Sequence, residues 1–405
     1  MDYPKLRPVD AIPAQDRMIC LRDPGGFSDK ILLLPPEAFF IISLFDGRHS
    51  VLDIQAAFTR QFGDLLFSDK IRELIDQLDS ALFLESDHFQ EVRDRAVQEY
   101  RSSPLRAASH AGLSYEADGK ELRKQLDGMF TEPGGPGLPD TTSPGGRLRG
   151  LIAPHIDIRR GGACFASGYT ELARECRARL FVILGISHVP TARRFVLTDK
   201  DFDTPLGVVS TDHTFIEKLS NRCGRDYFED ELVHRNEHSV EFQAVMLKYL
   251  YPDREDLRIV PILCSSKDNI LAGNSPAEDP EVQEFTAALR RMIDGCGEEV
   301  CLIAGVDLSH LGQRFGQVVT MTPAFLKQAE AEDMVMIERI IDRDADGFFN
   351  HIRAEQDRRN VCGVPAIHTL LTIVDTSSAC LLRYEQSVDE QTQSVVTFMA
   401  AALYA

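Results

Sequence analysis

The sequence lacks the features of a membrane-embedded or secreted protein. Its uncharged apolar runs, such as residues 395–404, have about half the length that a bilayer-spanning helix requires. The first five residues contain neither the basic nor the apolar region of a secretory signal. The nine cysteines are an odd number and are scattered without CxxC pairs, so no disulfide framework is expected. We therefore expect a cytoplasmic protein with reduced thiols.

Positive charge is also scarce. The chain contains 44 Lys and Arg against 63 Asp and Glu, a net charge of −19. Residues 1–105 carry 12 basic and 18 acidic side chains (−6), and the remaining 300 residues carry 32 and 45 (−13). Both parts would repel a nucleic-acid duplex or an anionic membrane surface, and no basic stripe is visible. Neither nucleic acid nor membrane is therefore an expected partner.

The length and composition are those of a globular protein with more than one domain. A chain of 405 residues exceeds a single ordinary domain, and 43% apolar with 26% charged residues excludes global disorder. We divide it into an amino-terminal domain, residues 1–100, and a main domain, residues 106–405.

The amino-terminal domain shows short strand-like and helical patterns. Residues 31–34 predict a strand, and Pro36 can open the helix that follows. Ser50 can cap a second helix with Asp53 at its third position, and residues 68–82 predict a third helix. The order strand, helix, helix, helix, strand and the phrase FDG…SVLDI resemble the PqqD-like winged-helix domain, a small α+β fold. Members of that family hold leader peptides by adding a strand to a sheet edge. A packing or dimerisation domain is the alternative.

The main domain predicts an α/β fold with a mostly parallel sheet flanked by helices. Four short apolar runs, each followed by a polar turn and helical periodicity, are typical of buried parallel strands: residues 150–153, 180–184, 258–263 and 300–305. Two late runs, residues 379–384 and 394–403, are closely spaced and predict an antiparallel pair at an edge.

Candidate metal ligands follow these strands. His155, His188 and His310 come just after the ends of three apolar runs, where the ligand crevice of an open α/β sheet lies. Cys362 precedes a helix that Pro365 can start, and the positive end of that helix should favour a thiolate. Two imidazoles and a thiolate suit Fe, Cu or Zn.

Other polar residues could serve the same pocket. His238 and Glu241 are three residues apart on a predicted helix and face the same way. They are either an acid/base pair or support for a metal ligand, or else part of a solvated helix start. Asp307 and His310 could orient a ligand rather than bind one.

Six motifs in a fixed order then indicate a family. They are SHAGLSY (109–115), APHIDIRRGG (153–162), GISHVP (185–190), EHSVEFQ (237–243), DLSHLG (307–312) and CGVPAI (362–367). Together they resemble the Memo family, also called AmmeMemoRadiSam system protein B, over roughly residues 106–405. The family shares the fold of the class III extradiol (LigB-like) dioxygenases. The resemblance implies a metal site at His155, His188 and Cys362, with Asp307 and His310 at further pocket positions.

The resemblance implies a metal-dependent redox or oxygenase-like protein. The expected cofactor is one Fe(II) or Cu ion, and His238, Asp307 and His310 would supply acid/base or supporting functions. A small molecule or peptide is the expected substrate, and a radical-SAM enzyme and an AMMECR1-like protein are the partners implied. The alternative is a non-catalytic Memo-like protein that binds peptides as a scaffold.

The sequence departs from the family pattern at three places. The segment APHIDIRRGG (153–162) replaces the commoner aromatic APHAGYxYSG and puts Asp157, Arg159 and Arg160 near the pocket, which favours an anionic substrate. Gln243 stands where many relatives have His. Cys362 takes the place of the dioxygenase carboxylate, so extradiol ring cleavage itself is not implied.

Overall fold

A computed structural model describes residues 1–265, 275–297 and 299–405 of the chain. The described residues form two compact units, Met1–Ser102 and Ser103–Ala405. Within the described ranges, no helix is both long enough and apolar enough to cross a membrane.

The first unit contains a three-stranded antiparallel sheet followed by four helices. The strands, in sheet order, are β1 (Asp10–Pro13), β2 (Ile19–Arg22) and β3 (Leu32–Leu34). The helices are α1 (Pro36–Ser43), α2 (Val51–Phe62), α3 (Ser68–Ser80) and α4 (Asp87–Ser102).

Local sequence signals explain the helices of this unit. The Ser50 side chain accepts from the Asp53 amide, and the Asp53 carboxylate accepts from the Ser50 amide, so the predicted capping box is present.

Two strands precede the predicted strand β3, and the strand expected after the third helix is reduced to an isolated bridge between Leu6 and Leu84. The winged-helix assignment therefore stays a prediction.

The second unit alternates strands and helices. Its strands are β4 (Leu105–Arg106), β5 (Leu148–Ala153), β6 (Leu180–Ile186), β7 (Phe195–Leu197), β8 (Asp201–Phe202), β9 (Ser210–Thr211), β10 (Arg258–Cys264), β11 (Val300–Gly305), β12 (His310–Gly312), β13 (Ser378–Asp389) and β14 (Ser394–Tyr404). Its α-helices are α5 (Gly119–Thr131), α6 (Ile158–Glu175), α7 (His213–Arg222), α8 (His238–Leu250), α9 (Pro280–Asp294), α10 (Pro323–Ile341), α11 (Ala345–Ala354) and α12 (Val364–Ile373). Short 3-10 helices in the two units cover Gln15–Arg17, Glu231–Asn236, Pro276–Glu278 and Gln313–Phe315.

Most of these strands form one large sheet with a parallel centre. The strand order is β12-β14-β5-β11-β6-β10-β7, with β13 paired to β14 and β9 paired to β10. Strands β5, β11, β6 and β10 are mutually parallel, as predicted. The predicted antiparallel pair also forms at an edge, where β13 pairs along one side of β14, and β12 and β5 pair with the two ends of its other side. The carboxyl ends of the four parallel strands therefore meet at one edge.

Helices cover both faces of this sheet. Along β6, Leu180, Val182 and Leu184 pack in one core cluster with residues of α7, α9, α10, α11 and α12. Phe181 and Ile183 pack in the other, with residues of α5, α6 and α8. Burial on both faces explains why the strand sequence is continuously apolar rather than alternating.

Candidate metal centre

The predicted site residues gather at the carboxyl edge of the parallel strands. His155 follows β5, His188 follows β6 and Asp307 follows β11. His310 is the first residue of β12, and Cys362 lies two residues before α12. The chain connections thus bring these five residues to the edge where open α/β sheets hold ligands.

His238 reaches the same edge because α8 packs unusually close to the sheet. A Cβ atom at Gly185 would lie 2.5 Å from the Ser239 hydroxyl, and one at Gly305 would lie 2.5 Å from the Ser239 carbonyl oxygen. Glycine at both strand ends therefore permits the approach. The amide of Ile186 also donates to the Ser239 hydroxyl over 2.9 Å. His238, the first residue of α8, is held at the strand ends by these contacts.

Three imidazoles converge at this position. His155, His188 and His238 each offer a ligand atom, and these atoms all lie within 4.8 Å of one another. The ring centroids are 5.0 Å apart for His155 and His188, 5.0 Å for His155 and His238, and 4.8 Å for His188 and His238. Such a set could hold a metal ion.

The partners of the Nδ1 atoms favour metal binding by the other ring nitrogens. His188 Nδ1 donates to Glu237 Oε2 over 2.9 Å, and His238 Nδ1 lies 3.2 Å from Glu237 Oε1. His155 Nδ1 donates to the Gly305 carbonyl oxygen over 3.1 Å. A proton fixed on Nδ1 places the lone pair on Nε2, which is the nitrogen that coordinates a metal in such arrangements.

Burial affects the protonation of His155, His238 and Glu237. Burial and the neighbouring His238 and His188 lower the pKa of His155 well below its ordinary value. Burial also lowers the pKa of His238 to about 4, despite the opposing charge of Glu237. Burial raises the pKa of Glu237, but His188 and His238 outweigh it and the pKa falls well below the usual range. Neutral imidazoles beside a carboxylate are the forms that a metal site needs.

Cys362 borders the cluster on the side of His155. Its Sγ lies 3.3 Å from His155 Nε2, and its thiol donates to the Asp307 carbonyl oxygen over 3.6 Å. Cys362 does not belong to the group of described residues whose ligand atoms all lie within 4.8 Å of one another, which is His155, His188 and His238. Burial and then Asp307 raise the pKa of the thiol well above its ordinary value. The expectation that the helix end favours a thiolate is therefore wrong for this state, because burial and the nearby carboxyl outweigh the helix.

Asp307 supports the turn that carries His155. Its Oδ1 accepts from the amides of His155 (3.0 Å) and Ile156 (3.1 Å), and its Oδ2 lies 3.8 Å from His155 Nε2. Burial raises the pKa of Asp307 to about 7, although both backbone hydrogen bonds lower it. The carboxyl can therefore gain or lose a proton near neutral pH.

His310 is fixed by carbonyl groups on two loops. Its Nδ1 lies 3.1 Å from the carbonyl oxygen of Leu308 and 3.1 Å from that of Asn360. Burial lowers its pKa to about 4. With its proton directed to these carbonyls, the imidazole offers Nε2 as a proton acceptor.

Glu241 has a different role from the pairing with His238 considered above. Its carboxylate accepts from Ser109 Oγ (3.0 Å) and from the His110 amide (3.0 Å). It also binds the Tyr115 hydroxyl and the guanidinium of Arg106. Glu241 therefore joins the segment 106–115 to α8, and the carboxylate beside His238 is Glu237.

Two of the positions that depart from the family pattern also have defined partners. Gln243 Nε2 donates to the Pro154 carbonyl oxygen over 2.9 Å, and its Oε1 accepts from the Tyr169 hydroxyl over 2.7 Å. Gln243 thus braces the turn before His155. Arg159 donates to the Leu113 carbonyl oxygen over 2.5 Å and lies 3.7 Å from Glu116. An anionic substrate stays a prediction.

The sequence interpretation missed three residues that organise the site. Glu237 holds two of the three imidazoles, and an acid directly before His238 at a helix start was the available signal. Arg106 and Asp333 are fully buried charges within hydrogen-bond networks. Their chain neighbours gave no sign of burial.

Comparison with known proteins gives a consistent assignment. A family model described as Memo-like protein matches residues 106–402. A MEMO1 family protein of Aquifex aeolicus (strain VF5) is 26% identical over 404 residues, which cover 99% of this chain and 100% of the relative. A MEMO1 family protein of Methanopyrus kandleri is 31% identical over 290 residues, 70% of this chain and 93% of the relative. One from Thermus thermophilus is 23% identical over 352 residues, 87% and 98% of the two chains.

Proposed function

The chain belongs to the Memo family, and we propose that it holds one redox-active metal ion, Fe(II) or Cu, for a redox or oxygenase-like reaction. The proposed ligands are His155, His188 and His238, with Cys362 as a further donor on the His155 side. The observation that carries this proposal is the convergence of three imidazoles whose Nδ1 atoms face acceptors.

The donor set fits such an ion. A nitrogen about 2.0 Å and a sulfur about 2.3 Å from one tetrahedral ion would lie about 3.5 Å apart. The 3.3 Å between Cys362 Sγ and His155 Nε2 is close to that separation. Imidazole with thiolate suits Fe and Cu, and a bound ion of this kind supplies Lewis acidity and electron transfer.

The chain's own residues would orient the ligands and handle protons. Glu237 and the Gly305 carbonyl direct the imidazoles. Asp307, whose pKa burial raises to about 7, can exchange a proton beside His155. His310 can accept one at Nε2, because its Nδ1 is committed to two carbonyls.

Metal analysis of anaerobically purified protein tests the proposal. We expect about one Fe or Cu per wild-type chain and a strong loss in His155→Ala, His188→Ala and His238→Ala. His213→Ala is the matched control, because His213 is an exposed imidazole at the start of α7. Equal metal in all five proteins would refute the site. Bound metal that undergoes no redox cycling with any tested substrate would favour the scaffold alternative.

The two resemblances imply different partners, a peptide for the first unit and two proteins of a shared pathway for the Memo family. Strand β3 lies at an edge of the three-stranded sheet, and a peptide could extend that edge by one strand. We propose that this unit presents a peptide, and that a radical-SAM enzyme and an AMMECR1-like protein act in the same modification pathway. Co-purification of tagged versions of these two proteins with the full chain tests the association. Recovery no greater than with an unrelated acidic protein would count against it.

A further inference from the structure

Asp333 is a buried carboxylate that the proposed chemistry does not use. It lies in α10 with no exposed surface. Its two oxygens accept four hydrogen bonds from four parts of the chain: Oδ1 from Ser309 Oγ (2.6 Å) and Arg359 Nη1 (2.7 Å), and Oδ2 from Thr397 Oγ1 (2.6 Å) and the Tyr384 hydroxyl (2.9 Å). The two Asp333 oxygens can accept about four hydrogen bonds, and these four neighbours supply them, as expected of a carboxylate that organises a buried network.

Two of these donors lead directly to the candidate metal centre. The Arg359 carbonyl oxygen accepts from the His310 amide over 2.7 Å. The next residue, Asn360, accepts from His310 Nδ1 and donates from its side chain to the His310 carbonyl oxygen, both over 3.1 Å. Asn360 has a φ of 50°, an unusual conformation that the surrounding contacts must maintain. Cys362 is two residues further on.

Ser309 connects Asp333 to the loop that contains Asp307. Its amide donates to Thr397 Oγ1 over 2.9 Å, and its carbonyl oxygen accepts from the Thr397 amide over 2.9 Å. Asp307, whose carbonyl oxygen accepts from the Cys362 thiol, is two residues before it. Asp333 therefore binds, through single side chains, both loops that place Cys362 and His310.

The three imidazoles are held by different groups. Glu237 and the Gly305 carbonyl contact His155, His188 and His238 at Nδ1. Glu237 in turn accepts from the Ser239 amide over 2.9 Å, within the start of α8. Within the described part of the chain, the four hydrogen bonds of Asp333 involve none of these residues.

We propose that Asp333 is a positioning residue that holds the Cys362 and His310 half of the centre against His155, independently of Glu237 and the Gly305 carbonyl, which orient the three imidazole rings. The inference rests on the proposed function only where Cys362 is treated as a metal donor. Asp333→Asn keeps the size of the side chain but turns one acceptor into a donor, and it leaves Glu355, 2.9 Å from Arg359 Nε, as the remaining carboxylate partner of Arg359.

Alkylation of Cys362 in the metal-free protein is the first test. We expect iodoacetamide to label Cys362 about tenfold faster in Asp333→Asn than in wild type, which is the effect of losing one buried hydrogen bond of ordinary strength. Glu171→Gln is the matched control, because Glu171 is a buried carboxylate in α6 that accepts from the Tyr404 hydroxyl over 2.5 Å. It lies 16 residues beyond His155 in sequence, toward the far end of that helix.

Cobalt binding is the second test. With Co(II), we expect Asp333→Asn to keep the wild-type stoichiometry, since the imidazoles are held separately, but to lose the thiolate-to-cobalt absorption band. Glu171→Gln should keep both. Loss of stoichiometry together with the band in Asp333→Asn would overturn the independence of the two halves.

The outcomes separate this inference from the proposed function. Wild-type protein that binds no Co(II) overturns the proposed metal site, whereas the alkylation rates still decide whether Asp333 positions Cys362. Equal labelling in wild type and Asp333→Asn, or equal acceleration in Glu171→Gln, overturns the positioning role. If Asp333→Asn does not fold by circular dichroism, Tyr384→Phe removes one of the four hydrogen bonds from a distant strand. A folded Tyr384→Phe with unchanged labelling also overturns it.

Discussion

Glu237 gives the sharpest prediction because one carboxylate serves two proposed ligands. Its Oε2 accepts from His188 Nδ1 over 2.9 Å, and its Oε1 lies 3.2 Å from His238 Nδ1. In Glu237→Gln the amide can still accept one of these hydrogen bonds through its oxygen. Its NH2 group would then face the other imidazole N–H, so that ring loses its acceptor and its orientation.

The size of the effect follows from that geometry. Removing a partner that orients a metal-binding His usually weakens metal binding about 10–100-fold. That range corresponds to about 1.4–2.7 kcal/mol, close to the value of one hydrogen bond to a charged group. Because Glu237 serves two of three imidazoles, we expect a loss near the upper end of the range.

Competition with a chromophoric chelator measures the affinity for Zn(II) or Co(II) directly. The matched control is Glu231→Gln, a buried carboxylate in the same stretch of chain that accepts from Thr198 Oγ1 over 2.8 Å. Glu231→Gln should change the metal affinity by less than threefold. Substitutions away from a site usually have effects of about 0.5 kcal/mol, which corresponds to a change of that size. An unchanged affinity in Glu237→Gln would refute the assignment of His188 and His238 as ligands held by this carboxylate.

Three further predictions concern stability, the thiol and the first unit. Glu241→Gln should lower the free energy of unfolding by about 3–5 kcal/mol in urea, because it leaves the buried Arg106 unpaired. The pKa of Glu241 is lowered from 4.5 to about 2, so the contribution of its carboxylate to the free energy of unfolding should be lost as the pH drops between those values. A free energy of unfolding that does not change over this pH range would contradict the prediction. Iodoacetamide should label Cys362 more slowly when metal is bound than after chelation, because coordination occupies the sulfur lone pair, and a labelling rate that ignores metal would exclude ligation. Residues 1–102 expressed alone should unfold cooperatively and bind peptide rather than duplex DNA, and salt-sensitive DNA binding without peptide binding would contradict the prediction.

The parallel sheet was predictable because its strands carry their own signal. Buried strands must be apolar on both faces, so β6 and β11 appear as short uninterrupted apolar runs. The polar residue that ends each run then lies at the carboxyl edge by geometry alone, which is how His155 and His188 could be found. The pairing of β14 with β5 and β12 could not be predicted, since pairing between strands distant in sequence leaves no local pattern.

The groups that hold the ligands were harder to find for a physical reason. Glu237 and Asp333 are acidic residues in helices or at their ends, where acidic residues are ordinarily solvated or act as caps. Glu237 even performs the capping role, since its side chain accepts from the Ser239 amide. Only the tertiary structure shows that the same carboxylates are buried against histidines or arginine. Burial of a charge depends on partners far away in sequence, such as the 26 positions between Asp333 and Arg359.

The separate bracing of the two halves bears on how the proposed centre assembles. The three imidazoles are already directed at one point by Glu237 and Gly305, so little reorganisation should accompany metal entry on that side. Cys362 instead donates its thiol proton to the Asp307 carbonyl oxygen, so it must exchange that hydrogen bond for the metal. The imidazole half is therefore preorganised, whereas the thiol half must change its contacts.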